Sequence, residues 1–222
     1  MNRLIPANAP KTPTPVDIPT ETAPIREDLP GTITKMPSPA FIGHVHIFTD
    51  QNYERMIDFY CAFFDAEVIA TQREYPMTFI AYDEYDHRIT IVKKEGWGPK
   101  KDKFLGYSHL AFGYRSLGEI LFTYKRMKEW GSKPHWVVNH GNATSIYYRD
   151  PDGNEIETMV DNFAPIDTKA YKKHHQFTDE FGLMAEGNFD PDKMLALYEE
   201  GIPDKILLDR REVKRLKASG KL

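Results

Sequence analysis

Two stretches of this chain follow one plan, and that repetition limits the fold more than any single residue. Phe41-Ile42-Gly43-His44-Val45-His46-Ile47-Phe48 and Tyr107-Ser108-His109-Leu110-Ala111-Phe112-Gly113 are apolar, strand-like runs, and His44 and His109 stand 65 residues apart. After the first run, residues from about 50 to 64 place Tyr53, Met56, Ile57, Tyr60, Phe63 and Phe64 at the spacing of one buried helix face. Asp50 is the expected N-cap of that helix. Strand-like segments follow at 67–71, 77–82 and 87–93. After the second run, Ser116 and Glu119 form a capping box for a helix carrying Leu117, Ile120, Leu121, Tyr124 and Met127, closed by Gly131. Strand-like segments follow again at 133–139, 144–149 and 154–160. A period near 65 implies two βαβββ modules, each with a sheet too open to cover its own concave face. The expected architecture is therefore α+β, with the two modules paired into a cupped mixed sheet around a metal site.

The second module carries the most specific signal. Asp150-Pro151-Asp152-Gly153 reads as a turn, because proline presets φ at its second position and glycine relieves strain at its fourth. It joins two strands on which Tyr147 and Glu157 can face a common interior. Two imidazoles, His44 and His109, and one carboxylate, Glu157, on three separate strands make a facial triad, which keeps coordination positions open and suits non-haem Fe(II). A lone histidine in a strand is usually a core residue, but two at matching repeat positions reverse that expectation. His46 lies on the same strand face as His44 and is the rival for its role. Glu155 shares a face with Glu157 but sits nearer the turn, where a solvated carboxylate is expected. His87, His135, His174 and His175 read as surface or packing residues. Aligning His44 with His109, with two more residues of shift in the later strands, sets Phe79 against Ile146 and Thr90 against Glu157. Thr90 is no metal ligand, so a symmetric four-ligand cup is broken in the first module.

Composition narrows the partners. Lys plus Arg number 29 against 33 Asp plus Glu, a net charge of -4 with no basic excess for nucleic acid. No apolar run approaches the ~18 residues of a membrane span. The single cysteine, Cys61, excludes an internal disulfide and a cysteine zinc cluster, and a soluble, cytoplasmic protein is expected. Residues 1–40 hold 9 of the 16 prolines and show no apolar period, so they read as an extended arm. From Asn162 the pattern changes. Asp190-Pro191 opens a short helix and another begins near Pro203, so residues 162–222 read as a helical C-terminal extension that could dock on the core, cover the site or bridge subunits.

With these residues on the page, the chain resembles the vicinal oxygen chelate superfamily and, within it, the type I extradiol ring-cleavage dioxygenases. The signature reads Val138, His140, Ile146-Tyr147, Asp150-Pro151, Gly153 and Glu157. The resemblance covers residues 41–161, with modules at 41–98 and 104–161, and a single module pair is similar to the compact, single-domain branch. It implies His44, His109 and Glu157 as ligands of Fe(II), and His140 and Tyr147 as the catalytic pair beside the substrate. It implies a catechol-type aromatic and O2 as substrates, and a homodimer is the commonest default. Where the family tends to place an acid-base histidine, this chain reads Val92-Lys93-Lys94-Glu95, which leaves proton delivery to His140 or a lysine. Two other functions stay open: an isomerase or lyase of the glyoxalase kind, which generally wants the fourth ligand that Thr90 denies, and a non-catalytic ligand-binding protein.

Overall fold

The computed structural model of the chain describes residues 39, 41–98, 106–163, 170 and 188–222. Gly43–Leu222 form one compact unit. The proline-rich arm, apart from residue 39, and His174 and His175 lie outside the described residues.

The repeat folds as two four-stranded sheets of one topology. In the first, β1 (Val45–Thr49), β2 (Glu67–Gln72), β3 (Met77–Ala81) and β4 (Ile89–Lys93) lie in the order β1-β4-β3-β2. In the second, β5 (His109–Tyr114), β6 (Trp136–Asn139), β7 (Ala143–Arg149) and β8 (Glu155–Asp161) lie in the order β5-β8-β7-β6. In both, the outer pair is parallel and the rest antiparallel. The parallel pairing needs a crossover longer than a hairpin, and a helix plus two strands supply it.

The pairing registers bear out most of the internal alignment. His46 stands opposite Thr90 and Ala111 opposite Glu157, so His44 and His109, each two residues earlier, are equivalent. The alignment of Phe79 needs correction. Phe79 pairs with Thr90 and Tyr147 with Glu157, so Phe79 matches Tyr147 rather than Ile146. The β3–β4 connection has one residue more between those positions than the β7–β8 turn. A one-residue slip moves a side chain to the opposite face, so this register decides which position faces the site.

Helix α1 (Tyr53–Phe64) buries Tyr53, Met56, Phe59, Tyr60 and Phe63, and α2 (Leu117–Trp130) buries Leu117, Ile120, Leu121, Tyr124 and Met127. Both pack on one face of their sheets and against each other. Ser116 caps α2 by accepting from the Glu119 amide at 3.3 Å, and Gly131 closes it at φ 94. Asp50 does not cap α1. Asn52 holds that position, yet its side-chain amide reaches the other module's turn, donating to Asp152 Oδ1 at 2.7 Å and the Pro151 carbonyl at 3.2 Å. Asp50 instead accepts from the Gly96 amide at 3.0 Å. A second link between modules is buried: the Tyr60 hydroxyl donates to Asp150 Oδ2 at 3.0 Å.

The C-terminal residues form α3 (Pro191–Glu199), α4 (Asp204–Leu207) and α5 (Arg210–Ala218). They dock on the core, with Met194, Leu207 and Val213 fully buried in the same cluster as the helix faces. Asp190 caps α3, and Asp192 ties it to α2 by accepting from Tyr124 at 2.7 Å and Lys128 at 2.6 Å.

Candidate active site on the second sheet

Because β7 and β8 pair Tyr147 with Glu157, and β5 pairs Ala111 with Glu157, the open face of the second sheet gathers His109, Tyr147 and Glu157. Glu157 is only 7% exposed, so both of its oxygens need partners. Oε1 accepts from the Tyr147 hydroxyl at 2.7 Å, and Oε2 stands 3.0 Å from His109 Nε2. His140, 8% exposed, brings Nε2 to 3.1 Å from the same hydroxyl. A phenol has one proton to donate. Given to Glu157, it leaves the phenol oxygen to accept from His140, which fixes the tautomer with hydrogen on Nε2. The result is a directed chain from His140 through Tyr147 to Glu157. Burial, then the bond to Glu157, raises the Tyr147 phenol far above its ordinary range, so it stays a neutral donor.

Aromatic rings frame this chain. Trp136 stacks on Tyr147 with centroids 4.5 Å apart and 23° between planes, and His109 meets the same ring edge-on at 5.4 Å. His135 and Glu155 pair with each other beside the site. Glu155 is not a simple solvated carboxylate: its Oε2 lies 3.3 Å from His135 Nε2 and 3.9 Å from Arg149. Burial lowers the pKa of His135, although Glu155 opposes that shift.

His44 is elsewhere. It is exposed at the edge of the first sheet, its ring 4.7 Å from that of His87, which pairs with Asp86 at 2.6 Å. His46 is exposed on the same strand, with its ring 5.2 Å from Phe48. Beyond it, the Lys94 ammonium sits among the rings of Tyr75, Phe48 and Trp97 and bonds the Tyr75 hydroxyl. Among the described residues no group of three His, Cys, Asp or Glu is gathered closely enough to hold a metal. The structure thus brings together His109, Glu157, Tyr147 and His140, and His44 is not gathered with them into a three-residue metal cluster.

Residues 41–158 match the model of the Glyoxalase/Bleomycin resistance protein/Dioxygenase superfamily. The chain belongs to that superfamily. Among its relatives, Biphenyl-2,3-diol 1,2-dioxygenase 2 of Rhodococcus globerulus is 33% identical over 163 residues, spanning 72% of this chain and 82% of the relative. Biphenyl-2,3-diol 1,2-dioxygenase 3 of the same organism is 34% identical over 138 residues, 60% of this chain and 70% of the relative. A solved glyoxylase/bleomycin resistance protein/dioxygenase domain from Frankia sp. EAN1pec covers 56% of this chain and 99% of its own length, at TM-score 0.49 and 16% identity. Within the superfamily member described here, three partners of the site escaped sequence reasoning. His135 and Glu155 carry no motif, and Asn188, whose contact with Trp136 is described below, lies 52 residues from its partner.

Proposed function

We propose that this protein is an extradiol ring-cleaving dioxygenase, opening the ring of a catechol-type aromatic diol with insertion of both atoms of O2. The observation that carries the reading is the buried Glu157, shared between His109 and the Tyr147–His140 chain, in a protein whose curated relatives at 33% and 34% identity are biphenyl-diol dioxygenases. Its metal would be Fe(II), and His109, Glu157 and His44 are the residues that would hold it. The donor pair fits such an ion. His109 Nε2 and Glu157 Oε2 are 3.0 Å apart, close enough for one divalent cation to take both as ligands. His44, now against His87, would have to leave that contact to serve as the third ligand. When bound, Fe(II) supplies open coordination positions for diol and O2 and a route for electrons between them.

The protein's own groups do the rest. Tyr147 anchors one oxygen of Glu157, which leaves the other facing His109 in a fixed orientation. A ligand carboxylate oriented by such a partner keeps its geometry and basicity. His140, once protonated on both ring nitrogens, would deliver a proton to an oxygen of the substrate and return to the neutral tautomer that bonds Tyr147, while the neutral phenol holds Glu157 in place. The stacked Trp136 and Tyr147 rings give the site an aromatic side. The protein acts as a homodimer in the cytoplasm.

Metal analysis of anaerobically purified protein tests the reading, together with oxygen uptake across a panel of catechols. Iron near one per chain, absent from Glu157→Ala and His109→Ala, and uptake with a diol are expected. Zinc or nickel would move the protein to isomerase chemistry, and bound aromatic without any metal would make it a binding protein.

A further inference from the structure

The strand that carries Trp136 is gripped from outside its own sheet. Asn188, in the C-terminal extension, makes an antiparallel bridge to Val138, and its side-chain oxygen accepts from Trp136 Nε1 at 3.0 Å. At the end of the same strand Asn139 donates to the Leu208 carbonyl at 2.8 Å, while its own oxygen accepts from the Gly141 amide at 2.8 Å and from Asn162 at 3.0 Å. His140 follows directly. The extension therefore holds β6 at both ends of the segment that faces the site.

Of these grips, the one at Asn188 reaches the reacting groups by the shortest route. The indole it holds lies against the Tyr147 ring at 4.5 Å and meets His140 edge-on at 5.4 Å. The Tyr147 hydroxyl must satisfy two bonds together, 2.7 Å to Glu157 and 3.1 Å from His140, so a small rotation of its ring lengthens one of them. The indole stacked on its face and the His109 ring 5.4 Å away leave the ring little room to rotate. An indole N–H that lost its acceptor in this half-buried place would turn toward water and take the stack with it.

We propose that Asn188 is a positioning residue of the site: by holding Trp136 against Tyr147 it keeps the phenol aligned with both Glu157 and His140. The predicted effect on turnover rests on the extradiol reading; the predicted effect on the indole does not.

Asn188→Leu removes the acceptor at similar volume, whereas Asn188→Asp keeps one. The Leu variant is expected to lower kcat about tenfold, the scale of one lost neutral hydrogen bond, with KM for the diol and the thermal midpoint little changed. The Asp variant recovers most of the loss. Trp136→Phe, which removes the donor, shows the same loss, and combining it with Asn188→Leu adds nothing further. In a protein whose only tryptophan is Trp136, made by Trp97→Phe and Trp130→Phe, Asn188→Leu shifts indole emission to longer wavelength and Asn188→Asp does not. Unchanged kcat in Asn188→Leu, a loss that adds to that of Trp136→Phe, or unmoved emission overturns the proposal. If Asn188→Leu does not fold, Trp136→Phe decides the turnover test, since it leaves the backbone bridge intact. If the unmodified protein consumes no oxygen with any catechol, the extradiol reading fails, and the emission test still decides whether Asn188 holds the indole.

Discussion

Tyr147 has one proton and two polar neighbours within bonding distance, and its burial decides how the proton is used. Removing the hydroxyl alone separates its roles, because Phe at this position keeps the stack with Trp136. Tyr147→Phe leaves Glu157 short of one donor and the His140 N–H without its acceptor. Iron is expected to remain, with kcat reduced. His140→Ala should likewise retain iron and lose turnover by about 10²–10⁴, the usual contribution of a placed acid-base group; iron content and oxygen uptake measured on the same preparation check both variants, and an active His140→Ala enzyme removes His140 from the mechanism. Cys61 makes a contrasting prediction. Burial, then the nearby Asp58, pushes its thiol up to about 11 from an ordinary value of 9.0. Deprotonation is thus disfavoured, and near pH 8 the thiolate is about a hundredfold scarcer than in an unshifted thiol. Alkylation of native protein is expected to be slow at pH 8 and to accelerate with pH toward 11; fast labelling at pH 8 would contradict the raised pKa of this half-buried thiol.

Helix α2 shows how an element can depend on one missing atom. A Cβ on Gly118 would collide with the ring and hydroxyl of Tyr198, which α3 lays across the start of α2. Alanine is otherwise the better helix former by about 1 kcal/mol. Gly118→Ala is therefore expected to destabilise the unmodified protein and to stabilise a Tyr198→Ala protein by about 0.5–1 kcal/mol. Urea midpoints of the four proteins measure that reversal of sign, and a gain in both backgrounds would show that Tyr198 swings aside at little cost. The capping serine, the closing glycine and the apolar face of α2 were legible in sequence, because each acts within a few residues. The cap of α1 was not. Asn52 and Asp50 are both competent N-caps by chemistry, and the loop of the other module, 100 residues away, draws the Asn52 amide into a tertiary bond.

At the scale of the whole molecule, polar links join the two modules, and the buried one from Tyr60 to Asp150 is the most exposed to test. Asp150 accepts from Tyr60, from the Asn154 amide and side chain, and from the Asp152 amide. Burial still raises its pKa above the ordinary 3.8, outweighing those bonds. A carboxyl whose folded pKa is raised contributes stability that is full below the unfolded value and declines as pH rises through the folded one. Tyr60→Phe takes away a donor that serves the ionised carboxylate better than the protonated one, so it is expected to cost about 1–3 kcal/mol with the carboxylate ionised and less at pH 4 than at pH 7. Denaturant titrations at the two pH values check this, and an equal loss at both would mean the bond does not serve the charged form. The repeat, the element order, the turn and the motif from Val138 to Glu157 were all determined by the sequence, since periodicity and turn chemistry are local and a two-residue period assigns faces. Family membership followed from the same residues. What only the tertiary structure decided is register and distance: that Phe79 rather than its neighbour matches Tyr147, that His109 and Glu157 meet while His44 rests against His87, and that Asn188 reaches Trp136. Those outcomes depend on loop lengths and on competition among distant polar groups for one another, and no local pattern in the chain encodes which partner wins.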